Sequence, residues 1–347
     1  MATEGHKIRL CFSMLARPVA IDQAWAFATE MRNVEAFGKS LLGQITSQLP
    51  PPSGVVPART ALTTMPTLTS MVIETLGTFL GLEKEEKDFL DEIFAESLTK
   101  GRICLETDFD KRKDFLIKNG LPTNINGCYE YFKNEMHATA ATDAGLVSVI
   151  SHELGHAFAH NFLDCGDKDE VFSMFFQLTS FYICIQDKLI SKGEAMSLLD
   201  NFMTTMLIEV GVFNRCEEMS TATVPEAKSV EEGKATEGRT KEGSGKETEA
   251  VDVLNIFGFG NIPTENQACC KRLITESLEN NVHYGFSTIL ALRVLHKFVE
   301  SGSHNILDAA TEIRNVSADA RMWQEYFSES NIKESVTWLY ELVTKME

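Results

Sequence analysis

The sequence predicts a mainly helical fold, and three observations support this prediction. Apolar residues recur near the 3.6-residue helical period over residues 21–47, 83–99 and 333–345. Residues 144–159 and 171–186 are apolar around most of a helical circumference, which is typical of helices buried in a core. Prolines or glycines at residues 49–66 and 120–122 interrupt the pattern where helices should end.

Charge and composition exclude several classes of function. A net charge of -18 at pH 7 disfavours nucleic acid and anionic membranes as partners. The N-terminal segment is a poor secretory signal, because its apolar run is short and is soon interrupted by Arg17. No uncharged run reaches the roughly 18 to 20 residues of a membrane span. The eight cysteines form no C-x-x-C pair, so we expect free thiols and a cytoplasmic protein.

The most specific motif is HELGH at residues 152–156. Residues four apart lie on one face of a helix, so His152 and His156 would present two imidazoles to one metal ion. Glu153 lies about 100° round the helix from His152, near enough to reach a metal-bound water without binding the metal. The motif therefore predicts a zinc site with Glu153 as general base. The alternative is an ordinary buried helix whose histidines are hydrogen-bonded.

The residues around the motif predict how its helix packs. Leu146, Ile150, Leu154 and Phe158 recur at near-helical spacing and should face the core. Gly155 costs about 1 kcal/mol of helix propensity relative to Ala. This cost indicates a packing reason for the glycine, such as the close approach of another backbone.

A catalytic zinc site needs a third protein ligand. A third histidine in the metzincin register is excluded, because residues 159 and 162 are Ala and Phe. The next predicted helix supplies Glu170 at its start, where its carboxylate would lie at the edge of the core and face the histidines. The alternative is a first-turn acid favoured by the helix dipole. The rival ligands are Asp164, Asp167 and Glu209.

HELGHAF at residues 152–158, followed by EVFSM at 170–174, resembles the thimet oligopeptidase and oligoendopeptidase F family of gluzincin peptidases. In that family the motif is H-E-x-G-H-x-x-H, and the next helix begins with a zinc-binding glutamate. Residue 159, where the family has a further histidine, is Ala here.

The resemblance implies that His152, His156 and Glu170 are zinc ligands and that Glu153 is the catalytic base. It implies a mainly α fold with a zincin-like metallopeptidase core, and it allows a small β-sheet beside the metal helix. The implied cofactor is one Zn²⁺ per chain, and the implied substrates are short peptides.

The resemblance also singles out residues outside the motif. His283 and Tyr284 best match a family segment that donates hydrogen bonds to the tetrahedral intermediate. Alternatively, His283 caps a loop and Tyr284 packs in the core. His137 lies in a segment that lines the cleft in family members, although a lone histidine is more often a surface or hydrogen-bonding residue. His296 and His304 are expected at the surface.

We expect four regions in the chain, of which composition marks the third and the motif and the resemblance mark the others. Residues 1–120 form an N-terminal helical region, and residues 121–220 form the zinc-binding catalytic core. Residues 221–252 are rich in Glu, Lys, Gly, Ser and Thr, so we expect a disordered insertion. Residues 253–347, with a helix expected at 268–278, would form the C-terminal helical part of the catalytic domain. The alternative is that residues 221–252 link two separate domains.

The predicted function is zinc-dependent hydrolysis of peptide bonds, with a peptide as the partner. Zinc would lower the pKa of its water, and Glu153 would take the proton and return it to the leaving amine. Three alternatives remain open. They are a dedicated regulatory protease of another gluzincin type, a non-catalytic protein that retains zinc, and an all-helical interaction module without metal.

Overall fold

The computed structural model describes residues 21–49, 65–123, 125–163, 169–221 and 284–347. These residues form eleven helices and three strands, so the prediction of a mainly helical fold is confirmed, and the small sheet that the resemblance allowed is present. The helices are α1 (Ile21–Gln48), α2 (Met65–Phe79), α3 (Lys84–Thr99), α4 (Phe109–Lys118), α5 (Asp143–Phe162), α6 (Asp169–Gln186), α7 (Lys192–Thr221), α8 (Tyr284–Ser301), α9 (Ile306–Ala318), α10 (Ala320–Tyr326) and α11 (Glu329–Thr344). The strands are β1 (Ile103–Leu105), β2 (Gly127–Glu130) and β3 (Glu135–Ala140).

Local signals explain several of the helix ends. The Asp108 side chain caps α4 by accepting from the backbone N–H groups of Asp110 and Lys111. Gly120, at a φ of 71°, follows α4 in the left-handed conformation that glycine tolerates best. The sequence predicted this end of α4, but it did not predict strand β1 or helix α9.

Several sequence predictions concern residues outside the described ranges. These are the acidic insertion from residue 222 onwards, a helix predicted at 268–278, and the residues Asp164, Asp167 and His283.

The sheet has the strand order β1-β3-β2, with β1 parallel and β2 antiparallel to β3. Across β2 and β3, Tyr129 pairs with Met136 and Glu130 pairs with Glu135. Side chains alternate between the two faces of a strand. One face therefore carries Gly127, Tyr129, Met136 and Ala138, and the other carries Cys128, Glu130, Glu135 and His137.

The core centres on α5 and α6, which pack against each other, with α8 against α6 and α7. Leu146, Ile150, Leu154 and Phe158 are fully buried, as predicted. Helix α6 is buried over most of its length, so the prediction that it is a core helix is also confirmed. Within the described ranges, no helix combines the length and apolar character needed to cross a bilayer.

Of the two histidines expected at the surface, only one is exposed. His304 is exposed, as expected. The prediction that His296 lies at the surface is wrong, because its residue is only 4% exposed. His296 stacks on Trp338, with ring centroids 4.6 Å apart, and its Nδ1 lies 3.1 Å from the Ser335 hydroxyl. Helix α8 is packed against α6, α7, α9 and α11, so its polar residues also face protein.

Candidate metal centre

The structure brings His152, His156 and Glu170 together, and we call these three residues the helix cluster. One ligand atom from each residue lies within 4.8 Å of the others. The Nε2 atom of His152 is 3.4 Å from Glu170 Oε1, and that of His156 is 3.5 Å from Glu170 Oε2. The two imidazoles therefore turn the same nitrogen towards one carboxylate.

The close packing of α5 on α6 positions this cluster. A Cβ on Gly155 would lie 2.6 Å from Ser173 Cα and 3.2 Å from the Phe172 carbonyl oxygen. Any side chain here would push the two helices apart, so the predicted packing reason for Gly155 is confirmed. The Gln177 amide donates to the Ser148 hydroxyl at 2.8 Å and links the same two helices. This contact holds Glu170, in the first turn of α6, opposite the histidines.

The start of α5 is fixed as well. The Thr142 side chain caps the helix by accepting from the backbone N–H of Gly145. Strand β3 ends at Ala140, so a connection of two residues joins the sheet to the motif helix. The sheet and the histidines therefore have a fixed relative position.

Glu153 is 5% exposed and lies against strand β2 at Gly127. A Cβ on Gly127 would lie 2.9 Å from Glu153 Cγ and 2.7 Å from Val149 Cγ1, and it would also clash with Glu153 Oε1. Gly127 thus leaves the space that the Glu153 side chain occupies. No sequence signal indicates this role, because it depends on which strand lies over α5.

Tyr131 is a second residue that sequence reasoning missed. It directly follows β2, and its hydroxyl oxygen is 3.4 Å from His156 Nδ1. Its ring also meets the rings of His156 and His160 edge-on, at centroid distances of 6.3 and 5.0 Å. When Nδ1 carries the proton, this hydroxyl can accept a hydrogen bond from it, and Nε2 then has the lone pair that a metal ion binds.

The donor set of the helix cluster fits a zinc ion. Two imidazole nitrogens and one carboxylate oxygen are ligands that zinc takes in catalytic sites, where a fourth position stays open. The three side chains are 11–14% exposed, so the cluster lies near the surface but is not freely solvated. A bound metal is therefore chemically compatible with this arrangement.

The other candidate residues named from the sequence are not part of the described cluster's geometry, several of them because the structure does not describe the residue or its side chain. His283 lies outside the described residues, and Tyr284 is the first residue of α8 with its side chain outside them. The side chain of the rival ligand Glu209, in α7, also lies outside them. His137 is not in the helix cluster: it lies on the sheet, and it is 4% exposed. A surface location for His137 is therefore wrong.

Comparisons with known proteins add no further identification. No protein-family model matches the chain, and no curated protein or solved structure matches it.

Proposed function

We propose that the chain is a zinc-dependent metallopeptidase with a zincin-like core that hydrolyses peptide bonds in short peptides. The observation that supports this best is the helix cluster, in which two imidazoles four residues apart face one carboxylate from the next helix. The acid between the two histidines, Glu153, is buried beside the same site.

Each residue has a distinct role in this proposal. His152, His156 and Glu170 would hold the zinc. When bound, zinc would supply Lewis-acid polarisation and lower the pKa of a water molecule. Glu153 accepts a proton from the attacking water and passes it to the leaving amine nitrogen.

Two further residues support that chemistry. The Tyr131 hydroxyl lies 3.4 Å from His156 Nδ1; when that nitrogen carries the proton, the hydroxyl oxygen would accept the hydrogen bond and the lone pair would stay on Nε2. Gly127 allows the Glu153 side chain to lie between α5 and the sheet. A general base must be held within hydrogen-bonding reach of its proton, so this restriction of Glu153 favours catalysis.

The test combines metal analysis with cleavage of a quenched fluorescent peptide library. We would compare the wild type with Glu153→Gln, which keeps the size of the side chain but removes its basicity. The proposal predicts equal zinc content in both proteins and a loss of cleavage of about 10²- to 10⁴-fold in the variant. A matched control is Glu92→Gln, which makes the same change at an exposed site on α3 and should cleave like the wild type.

Other results of this test would favour an alternative function or overturn the proposal. Zinc in both proteins without cleavage of any peptide would exclude a peptidase of short peptides and favour a dedicated protease or a non-catalytic zinc protein. Equal cleavage by the wild type and Glu153→Gln would overturn the role of Glu153. A chain that binds no zinc at the helix cluster would overturn the proposed function as a whole.

A further inference from the structure

A second group of potential metal ligands lies on the sheet, and we call Glu130, Glu135 and His137 the sheet cluster. One ligand atom from each residue lies within 4.8 Å of the others. Glu130 and Glu135 are directly paired across β2 and β3, and His137 is two residues further along β3. All three lie on the face opposite Gly127, so the sheet cluster is separate from the helix cluster.

Two carboxylates directly opposite each other on antiparallel strands repel. Cations compensate part of this repulsion. Lys133 Nζ lies 2.6 Å from Glu130 Oε2, and Arg102 Nη2 lies 2.5 Å from Glu135 Oε1. Each ion pair holds one oxygen of a carboxylate and fixes its orientation. A carboxylate has a second oxygen, and that of Glu130 faces His137.

His137 is the observation that points to a ligand. Its side chain is 5% exposed, and its Nε2 faces Glu130 Oε1 across 3.4 Å. Neither ring nitrogen makes a well-aligned hydrogen bond within the described part of the chain. Buried polar groups are normally satisfied, so a nitrogen in this position needs a partner.

We propose that the sheet cluster binds a divalent transition-metal ion through His137, Glu130 and Glu135. One nitrogen and two oxygen donors suit Zn²⁺ or Mn²⁺ better than a soft ion such as Cu⁺. The ion tethers β2 to β3 next to the turn that carries Tyr131. Because Tyr131 contacts His156, the sheet cluster stabilises the arrangement beside the helix cluster.

The experiment measures bound zinc per chain in the full-length protein, after removal of metal with a chelator and dialysis against Zn²⁺. We expect two equivalents in the wild type. One equivalent should remain in His137→Gln, and one in the double variant His152→Gln/His156→Gln. The chain with all three substitutions should bind none. His304→Gln removes an exposed imidazole and should keep both equivalents.

Glu130→Gln tests the same site if the buried substitution His137→Gln prevents folding. Glu130 has a side chain that is 27% exposed, so Glu130→Gln should fold and should bind one equivalent. Circular dichroism checks that each variant keeps its helix content. In the His152→Gln/His156→Gln chain, Zn²⁺ should also slow amide hydrogen exchange in residues 127–140.

Two results would overturn the proposal. The first is a wild-type chain with one equivalent that survives in His137→Gln and disappears in the double histidine variant. The second is a double variant that binds no zinc and shows no change in hydrogen exchange. Either result would make the sheet cluster an ion-pair network. Failure of the helix cluster alone would look different, because the double variant would then bind as much zinc as the wild type.

Discussion

The helix cluster and the sheet cluster combine the same two residue types, histidine and glutamate, in different ways. In the helix cluster, one helix supplies two histidines and the next helix supplies the carboxylate. In the sheet cluster, two carboxylates and one histidine come from two paired strands, and Arg102 and Lys133 hold the carboxylates. The helix cluster also has a buried carboxylate beside it, that of Glu153. This difference is why we propose a catalytic role for the helix cluster and a structural role for the sheet cluster.

The two clusters also depend on different packing. The helix cluster depends on the close approach of Gly155 to α6, and the position of the neighbouring Glu153 depends on Gly127. The sheet cluster depends on cross-strand pairing between Glu130 and Glu135. A substitution at Gly155 should therefore affect the helix cluster first, and one at Gly127 should affect Glu153 first.

The largest effect is expected for Gly127→Ala. The new methyl group would displace the Glu153 side chain, so peptide cleavage should fall by about 10²- to 10³-fold while zinc at the helix cluster is retained. Cleavage rates and zinc content measure the two effects. In Gly193→Ala the new methyl group has no atom within 4 Å, so this control should leave both unchanged. Unchanged cleavage in Gly127→Ala would show that the position of Glu153 is unimportant.

Gly155→Ala should separate α5 from α6. Because the nearest neighbours are backbone atoms that cannot rotate away, we expect a loss of about 1–3 kcal/mol in the free energy of unfolding. Zinc affinity at the helix cluster should fall, and that at the sheet cluster should not. Urea denaturation and zinc titration check these expectations.

The control for this substitution is Gly43→Ala, on the exposed side of α1, where nothing lies within 4 Å of the new methyl group. There the better helix propensity of Ala should stabilise the protein by about 0.5–1 kcal/mol. A stabilising effect at both glycines would contradict the close approach of α5 to α6.

Tyr131→Phe should have a smaller effect. It removes the hydroxyl from His156 Nδ1 but keeps the ring, so zinc affinity at the helix cluster should fall by about 10-fold. Competition with a metal indicator measures this change. The control Tyr340→Phe removes a hydroxyl that accepts from Gln48 and should leave zinc affinity intact. An equal loss in both variants would exclude a specific role for Tyr131.

The smallest effect concerns His296, a buried histidine outside both clusters. Burial is the main cause that lowers its pKa, and Arg293 lowers it further against the opposing Glu300 and Glu334. The unfolded chain therefore binds this proton more tightly, and the wild type should lose stability as the pH falls below about 6.5.

His296→Gln should reduce this pH dependence without changing the number of bound zinc ions. Urea denaturation at pH 7.5 and pH 5.5 gives the comparison, with His304→Gln as the matched control. A larger loss of stability at pH 5.5 in His296→Gln than in the wild type would contradict the direction of the pKa shift.

Much of the helix cluster could be predicted from the sequence because helical spacing is local. His152 and His156 share a face whenever their segment is helical, and the cost of glycine at residue 155 indicated a close contact. Glu170 was one of several acids that could complete the site, and only the packing of α5 on α6 brings it to the histidines.

The residues on or next to the sheet could not be predicted in the same way. Gly127, Tyr131 and the sheet cluster depend on strand pairing, and a shift of one residue would move every side chain to the other face. The surface location predicted for His296 was wrong because its burial also depends on how the helices pack. Its neighbour Arg293 is of a residue type usually found at the surface, but here that arginine is buried and bonds to Glu334 on α11.

X-ray absorption at the zinc edge tests the central claim most directly. The sample would be the Glu130→Gln chain loaded with one equivalent of zinc, so that the helix cluster is the intended site. We predict nitrogen and oxygen ligands at about 2.0–2.1 Å, with scattering from two imidazoles that disappears in a chain also carrying His152→Gln and His156→Gln. Sulfur ligands, or a spectrum that the two histidine substitutions leave unchanged, would contradict a zinc site at the helix cluster.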